Sequence, residues 1–273
     1  MGTLYLVATP IGNLEDISAR ALRTLREARL IAAEDTRHTR QLLAHFDIHT
    51  PLTSYYEHNK LFKLDIILTA LADGDVALVS DAGTPLVADP GYRLVVEAIA
   101  AGRRVVAAPG ASALLAALAV AGLPTDRFLF AGFPPPKAAA RARALAELAA
   151  IPATLVFYES PRRLAASLAA MAAAYGGGRP AAVCRELTKR FEEVRRGTLA
   201  ALAADYAAAE PPKGEIVVVV GPPLPAEVGA AALEQALTAA LAGMSVKDAA
   251  AQVAAALGLP RREVYARALA LAR

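Results

Sequence analysis

Four short stretches carry the residue types that hold small ligands: TPIGN at 9–13, AEDTR at 33–37, SDAGTP at 80–85 and PGAS at 109–112. Glycine lets a backbone approach a ligand closely, and Ser, Thr and Asp in turns expose main-chain amides. The carboxylates of Glu34, Asp35 and Asp81 are proton acceptors on the same stretches. The Gly-x-Gly-x-x-Gly fingerprint is missing after the first apolar run, and no Walker-type phosphate loop occurs, so dinucleotide and P-loop chemistry lose their main support. The histidines (His38, His45, His49, His58) crowd one interval without ligand-like spacing, so no metal is expected. Cys184, the single cysteine, sits in an apolar run and is expected to be a packed thiol.

Each stretch follows an apolar run: 4–8, 30–33, 76–80 and 105–108 read as strands. Between and after them, 17–28, 39–46, 61–72, 92–101 and 111–121 show helical spacing. Such alternation predicts a mainly parallel sheet covered on both faces, with the four stretches gathered past the carboxyl ends of the strands. After the stop signal Gly122-Leu123-Pro124, a second α/β unit has strands at 128–132, 154–158, 181–187, 192–196 and 215–220 and helices at 137–150, 161–174 and 199–208. Helices alone follow the proline-rich link at 222–225. The fold class expected is therefore α/β, two α/β domains (1–122 and 123–222) and a small helical extension (223–273).

Within that extension, Ser245 with Asp248 opens a helix whose apolar stripe is Val246, Ala249, Ala250 and Val253. Gly258-Leu259-Pro260 breaks it, and a second helix places Val264, Ala268 and Leu271 inward and Arg261, Arg262, Tyr265 and Arg267 outward. The pair has the spacing of a helix-turn-helix unit.

Of 273 residues, 56% are hydrophobic, an excess that is mostly alanine and forms no run of the roughly 18 residues a membrane span needs. A net charge of +3 permits a polyanionic partner without demanding one. One cysteine fits a reducing cytoplasm, and a first strand starting at Leu4 leaves no room for a signal peptide.

Together, GTLYLVATPIGNLEDIS at 2–18, AEDTR, SYYEHN at 54–59, SDAGTP, PGAS, RELTK at 185–189 and KGE at 213–215 resemble the small-subunit ribosomal RNA methyltransferase I family, within the tetrapyrrole methylase superfamily. The resemblance implies S-adenosylmethionine bound between two α/β domains. It further implies methyl transfer to the 2′-hydroxyl of a cytidine in small-subunit rRNA, the small ribosomal subunit as partner, and a homodimer. Pro10 and Ile11 match its first cofactor loop, Ala82, Gly83, Thr84, Pro85 and Val87 the second, and Ser112 and Ala113 the third. Thr84 departs from the aspartate of many relatives, which puts a carboxylate contact there in doubt while sparing main-chain contacts. Phe157 and Tyr158 would close over the adenine and Gly214 would approach it. Arg37, Tyr56, His58, Arg185 and Lys189 would face the RNA, alongside Arg40, Lys60 and Arg190; one of Tyr55 and Tyr56 is expected to pack inward. Asp81 and Glu34 rank first as proton acceptors, ahead of Asp35 and Glu57. Two readings stay open beside this one: a methyltransferase acting on a tetrapyrrole or another small molecule, and a non-enzymatic RNA-binding assembly protein.

Overall fold

The computed structural model describes residues 2–56, 60–224 and 230–272. Strands β1 (Thr3–Val7), β2 (Leu30–Ala33), β3 (Leu52–Ser54), β4 (Val76–Val79) and β5 (Arg104–Ala108) form a parallel sheet in the order β3-β2-β4-β1-β5. Central β4 is buried at every position, as a strand covered on both faces must be. Helices α1 (Ala19–Glu27) and α2 (Thr36–His45) supply Ala21, Leu25 and Leu43 to one face. Helices α3 (Lys60–Asp73) and α4 (Tyr92–Ala100) supply Ile67, Leu71, Leu94 and Ala98 to the other.

Two features of this first sheet and its helices differ from the sequence expectation. Edge strand β3 was not expected, because its LTS carries too little apolar signal; it forms by pairing with β2. Helix α2 starts at Thr36 rather than 39, because the Asp35 carboxylate accepts the Arg37 N–H and caps it.

Helix α5 (Ala113–Ala121) begins behind Ser112, whose hydroxyl accepts the Leu115 N–H, and ends at Gly122 in the left-handed region at φ 72°. The second sheet comprises β6 (Phe128–Phe130), β7 (Thr154–Glu159), β8 (Pro180–Arg185), β9 (Glu193–Thr198) and β10 (Ile216–Val220), in the order β6-β7-β10-β8-β9. Only the β6–β7 pair is parallel. Its outer face packs against α6 (Ala138–Leu148), α7 (Leu164–Tyr175) and α8 (Leu199–Ala208). Its inner face meets α5, where Ala117, Leu118 and Ala121 lie against Val156, Ala182, Val217 and Val219. Apolar almost all round, α5 joins the two lobes through shared core.

Both lobes belong to one compact unit, Met1–Pro222, and Pro223–Arg273 form another. In the second unit α9 (Ala230–Leu241), α10 (Val246–Leu257) and α11 (Arg261–Leu271) bury Leu237, Ala250, Val253, Val264 and Ala268. Ser245 caps α10 by accepting the Asp248 N–H, and Gly258 ends it in the left-handed region. Leu271, expected inward, is exposed because it lies in the last turn of α11, past the end of this core. Arg261, Arg262, Tyr265 and Arg267 point outward, with Arg267 paired to Glu234. Among the described residues no helix is long and apolar enough to cross a membrane.

Candidate functional site

Hydrogen bonds lock the loops past β1, β4 and β5 into one floor. The Thr9 N–H donates to the Gly83 carbonyl at 2.9 Å, and the Gly83 N–H donates back to Thr9 at 3.0 Å. The Thr84 hydroxyl reaches the Ala111 carbonyl at 3.2 Å, tying in the third loop. From the other lobe the stem of Lys189 lies over Gly12, where an added Cβ would stand 2.3 Å from its Cγ. Only glycine fits beneath that stem.

A cavity of about 370 Å³ opens between the lobes, within the size range of small-ligand sites. Of the residues singled out from sequence, Ile11, Ala82, Gly83, Thr84, Val87, Ser112 and Ala113 line it from the first lobe, and Tyr158 and Gly214 from the second. Pro10 and Pro85 stand in the same loops without lining it, Pro85 being buried behind its loop. Phe157 does not face the cavity. It is 1% exposed in the outer core, while Tyr158 turns inward, because successive side chains of β7 point to opposite faces. Phe130 and Phe133 hold the Tyr158 ring edge-on, at centroid distances of 4.8 and 5.6 Å. Gly214 is held at φ 99°, with Glu186 Cδ only 2.3 Å from any added Cβ. Cys184 forms part of the wall; burial pushes its thiol up to about 11, so it stays protonated and inert near neutrality.

Sequence reasoning missed the second carboxylate of the long loop. Asp89 lines the cavity, as do Glu159, Glu215 and the Phe133 ring. Glu159 is committed: it accepts the Ser160 N–H at 2.7 Å and the Ser167 hydroxyl, and pairs with Arg163 at 2.9 Å. Glu215 pairs with Lys189 at 3.2 Å. Asp89 has no cationic partner among the described residues. Burial raises its pKa above the ordinary aspartate value, and the nearby Asp81 charge adds to that, against a hydrogen bond from Ser80. Glu34 is raised likewise, by burial first and then by Asp89 and Asp81. The signal that could have found Asp89 is the Asp-Pro-Gly turn eight residues past Asp81.

The other described carboxylates of this edge are spoken for. Asp81 Oδ1 accepts the Asp35 N–H at 2.9 Å, and its Oδ2 stands 3.4 Å from His38 Nδ1. Asp35 takes the Arg37 side chain and amide, and that hydrogen bonding holds its carboxyl well below the usual range. Arg37 therefore pairs with Asp35, not Glu34. Asp35, His38 and Asp81 place potential ligand atoms within 4.8 Å of one another.

The residues expected to face RNA are scattered in their commitments. Tyr56 is 41% exposed and Tyr55 is buried, so Tyr55 is the inward member of the pair. Arg37 and Arg40 are exposed on α2. Arg185 bonds to Glu193 at 3.0 Å and to the Lys213 carbonyl at 3.2 Å, and Lys189 to Glu186 at 2.8 Å, so both charges are balanced within their own lobe. Arg190 and Phe191 are exposed in the loop between them and β9. Glu57, His58 and the side chain of Lys60 lie outside the described residues.

The chain matches the family model for tetrapyrrole (corrin/porphyrin) methylases over residues 3–203, and a model for the RsmI C-terminal HTH domain over residues 227–272. It is 55% identical to ribosomal RNA small subunit methyltransferase I of Mesorhizobium japonicum, over 98% of this chain and 92% of the relative. It is 50% identical to the protein of the same name from Pseudomonas aeruginosa, over 98% and 97% of the two chains. Among solved structures it resembles uroporphyrin-III C-methyltransferase from Thermus thermophilus complexed with S-adenyl homocysteine, at a TM-score of 0.54 and 22% identity over 81% of this chain and 97% of that one.

Proposed function

This chain belongs to the tetrapyrrole methylases and, within them, to the family of ribosomal RNA small subunit methyltransferase I, and from that premise we propose that it transfers a methyl group from S-adenosylmethionine to the 2′-hydroxyl of a cytidine in small-subunit ribosomal RNA. The observation that carries the cofactor part is the character of the cavity. Its described lining is largely apolar and contains no Lys, Arg or His, so no like charge opposes a ligand bearing a sulfonium and an ammonium charge. The amino end of α5 behind Ser112 suits the ligand's carboxylate, and Tyr158 with Phe133 suits a purine. Ile11, Ala82, Gly83, Thr84, Val87, Ser112, Ala113 and Gly214 would hold the rest through backbone and small side chains.

Bound there, the cofactor supplies an electrophilic methyl carbon. The chain's contribution is to position that carbon against the hydroxyl, exclude water with the apolar wall of Ile11, Leu187 and Val217, and accept the hydroxyl proton on the acidic edge of Glu34, Asp81 and Asp89. Arg37 and Tyr56 stand exposed beside that edge for RNA contact. Arg185 and Lys189 would reach phosphates only by exchanging their present carboxylate partners. We assign the junction of the two α/β domains to the turn at Gly122, and assembly as a homodimer belongs to the same reading. Mass mapping of rRNA from isolated small subunits incubated with the purified chain and labelled cofactor is expected to place one new methyl on a cytidine ribose. Label on a base, or none, would sink this reading.

The helical unit is proposed to grip rRNA backbone through Arg261, Arg262 and Arg267. Removal of residues 223–273 is expected to leave S-adenosylmethionine affinity intact, because every cavity residue lies in the other unit. Small-subunit affinity should fall, with a shallower salt dependence, the log–log slope losing about 0.7–0.9 for each phosphate contact given up. An unchanged salt slope would make the unit a structural appendage.

A further inference from the structure

We infer that Asp89 is the carboxylate that takes the proton from the acceptor hydroxyl, an assignment that rests on the ribose methylation proposed above. Position argues first. Asp89 lines the cofactor cavity and also lies close enough to Glu34 and Asp81 for their charges to act on one another, so it stands where the cavity meets the acidic edge. Glu34 and Asp81 do not line the cavity.

Availability argues second. Each oxygen of Asp81 already has a partner, the Asp35 amide on one side and His38 on the other, so Asp81 serves to brace the β2 loop against the β4 loop. Glu159 and Glu215 are already engaged by cationic partners, Arg163 and Lys189. Asp89 carries none among the described residues, and the described groups that interact with it are acidic or neutral: Ser80 and Asp81 on its own loop, Glu34 past β2 and Tyr158 across the cavity, with Glu159 and Glu215 lining the same cavity. Such surroundings make a carboxylate a better base.

The step balances without a further reactant. The hydroxyl oxygen gains the methyl carbon, its proton passes to the Asp89 carboxylate, and the electron pair of the broken carbon–sulfur bond stays with sulfur as a neutral thioether. Asp89, only partly buried in the cavity wall, then returns the proton to solvent.

The test is Asp89→Asn in the full chain, with binding and turnover measured separately. Calorimetry should give affinities for S-adenosylmethionine and for S-adenosylhomocysteine within about threefold of the parent, while single-turnover methylation of small subunits falls about 100-fold or more. In the parent, turnover should rise with pH through an acid limb lying above the ordinary aspartate range, and this limb should disappear in Asp89→Asn. Asp81→Asn should instead keep the limb and move it to lower pH, since it removes a like charge. Carbon-13 titration of the Asp89 carboxyl in the cofactor-free parent should show a midpoint raised above the ordinary aspartate value and does not depend on any variant folding.

A midpoint at or below the ordinary aspartate value, or retained turnover in Asp89→Asn, overturns the assignment. So does a loss of S-adenosylmethionine affinity with S-adenosylhomocysteine unaffected, which would make Asp89 a counter-charge to the sulfonium. A parent that binds the cofactor yet labels no ribose overturns the functional reading itself, and is told apart because it fails before any substitution is made.

Discussion

Gly83→Val is expected to yield a folded chain whose affinity for S-adenosylmethionine is about 100-fold weaker, because strain of roughly 3 kcal/mol at this position converts to that factor. Gly83 sits at φ 81°, where a β-branched residue is a severe outlier. Collision is the smaller part of the effect. An added Cβ would stand 3.4 Å from Ile11 Cγ2 and 3.8 Å from the Ala111 oxygen, both tolerable contacts. The loop must therefore either hold the strain or relax, and relaxing breaks the paired bonds between Gly83 and Thr9 that fix the floor of the cavity. Valine's two methyls would also project among the lining residues. Gly83→Ala, lacking those methyls and any β-branch, should lose affinity by only about fivefold, at a strain of roughly 1 kcal/mol. Calorimetric titration on protein checked for native circular dichroism decides the matter. Parental affinity in folded Gly83→Val would show that the ligand binds elsewhere.

The elements legible in the sequence were those written by apolar periodicity. The runs that became β2, β4 and β10 are buried at nearly every position, so their signal survives in composition alone. Strand β3 carries no such signal and exists because β2 offers it an edge. The same logic explains the site. Turn residues at 9–13, 80–85 and 109–112 announced loops, and topology brings these three to one cavity. Phe157 and Tyr158 are equivalent as neighbouring aromatics, and only the pairing of β7 with β10 decides which one faces inward. Asp89 was hidden for another reason. A carboxylate before Pro-Gly reads as a turn former, and its value as a base comes from burial and from Asp81, both set by how the loop folds rather than by local sequence. Cationic partners are equally invisible at long range: nothing local says that Lys189, besides its near neighbour Glu186, will also reach Glu215.

Arg179→Ala is expected to destabilise the unit of residues 1–222 by about 3–5 kcal/mol, through two stranded carbonyls and a cavity where the side chain packed. Arg179 is 1% exposed, the largest fully buried side chain described. Its Nε–H donates to the Gly221 carbonyl at 2.6 Å, one NH₂ group reaches the Ala149 carbonyl at 3.2 Å, and the guanidinium lies 4.8 Å from the Tyr175 ring centroid. No carboxylate balances it among the described residues; the burial that lowers its pKa leaves it charged at any working pH. A buried charge of this kind can be a liability that an apolar isostere relieves. Two features argue otherwise here. Ala149 caps the carboxyl end of α6, where the helix dipole favours a cation, and Gly221 closes β10 at the end of the unit. Arg179→Met keeps most of the stem and isolates the polar part, so its cost should be about 2–3 kcal/mol. Both losses should be flat between pH 6 and 9, since no group titrates there with the guanidinium, and Arg179→Ala should lower the melting temperature by on the order of 10 °C. Denaturant titrations of the parent and both variants supply the measurement. An Arg179→Met chain as stable as the parent would show that the guanidinium costs as much to bury as its hydrogen bonds return.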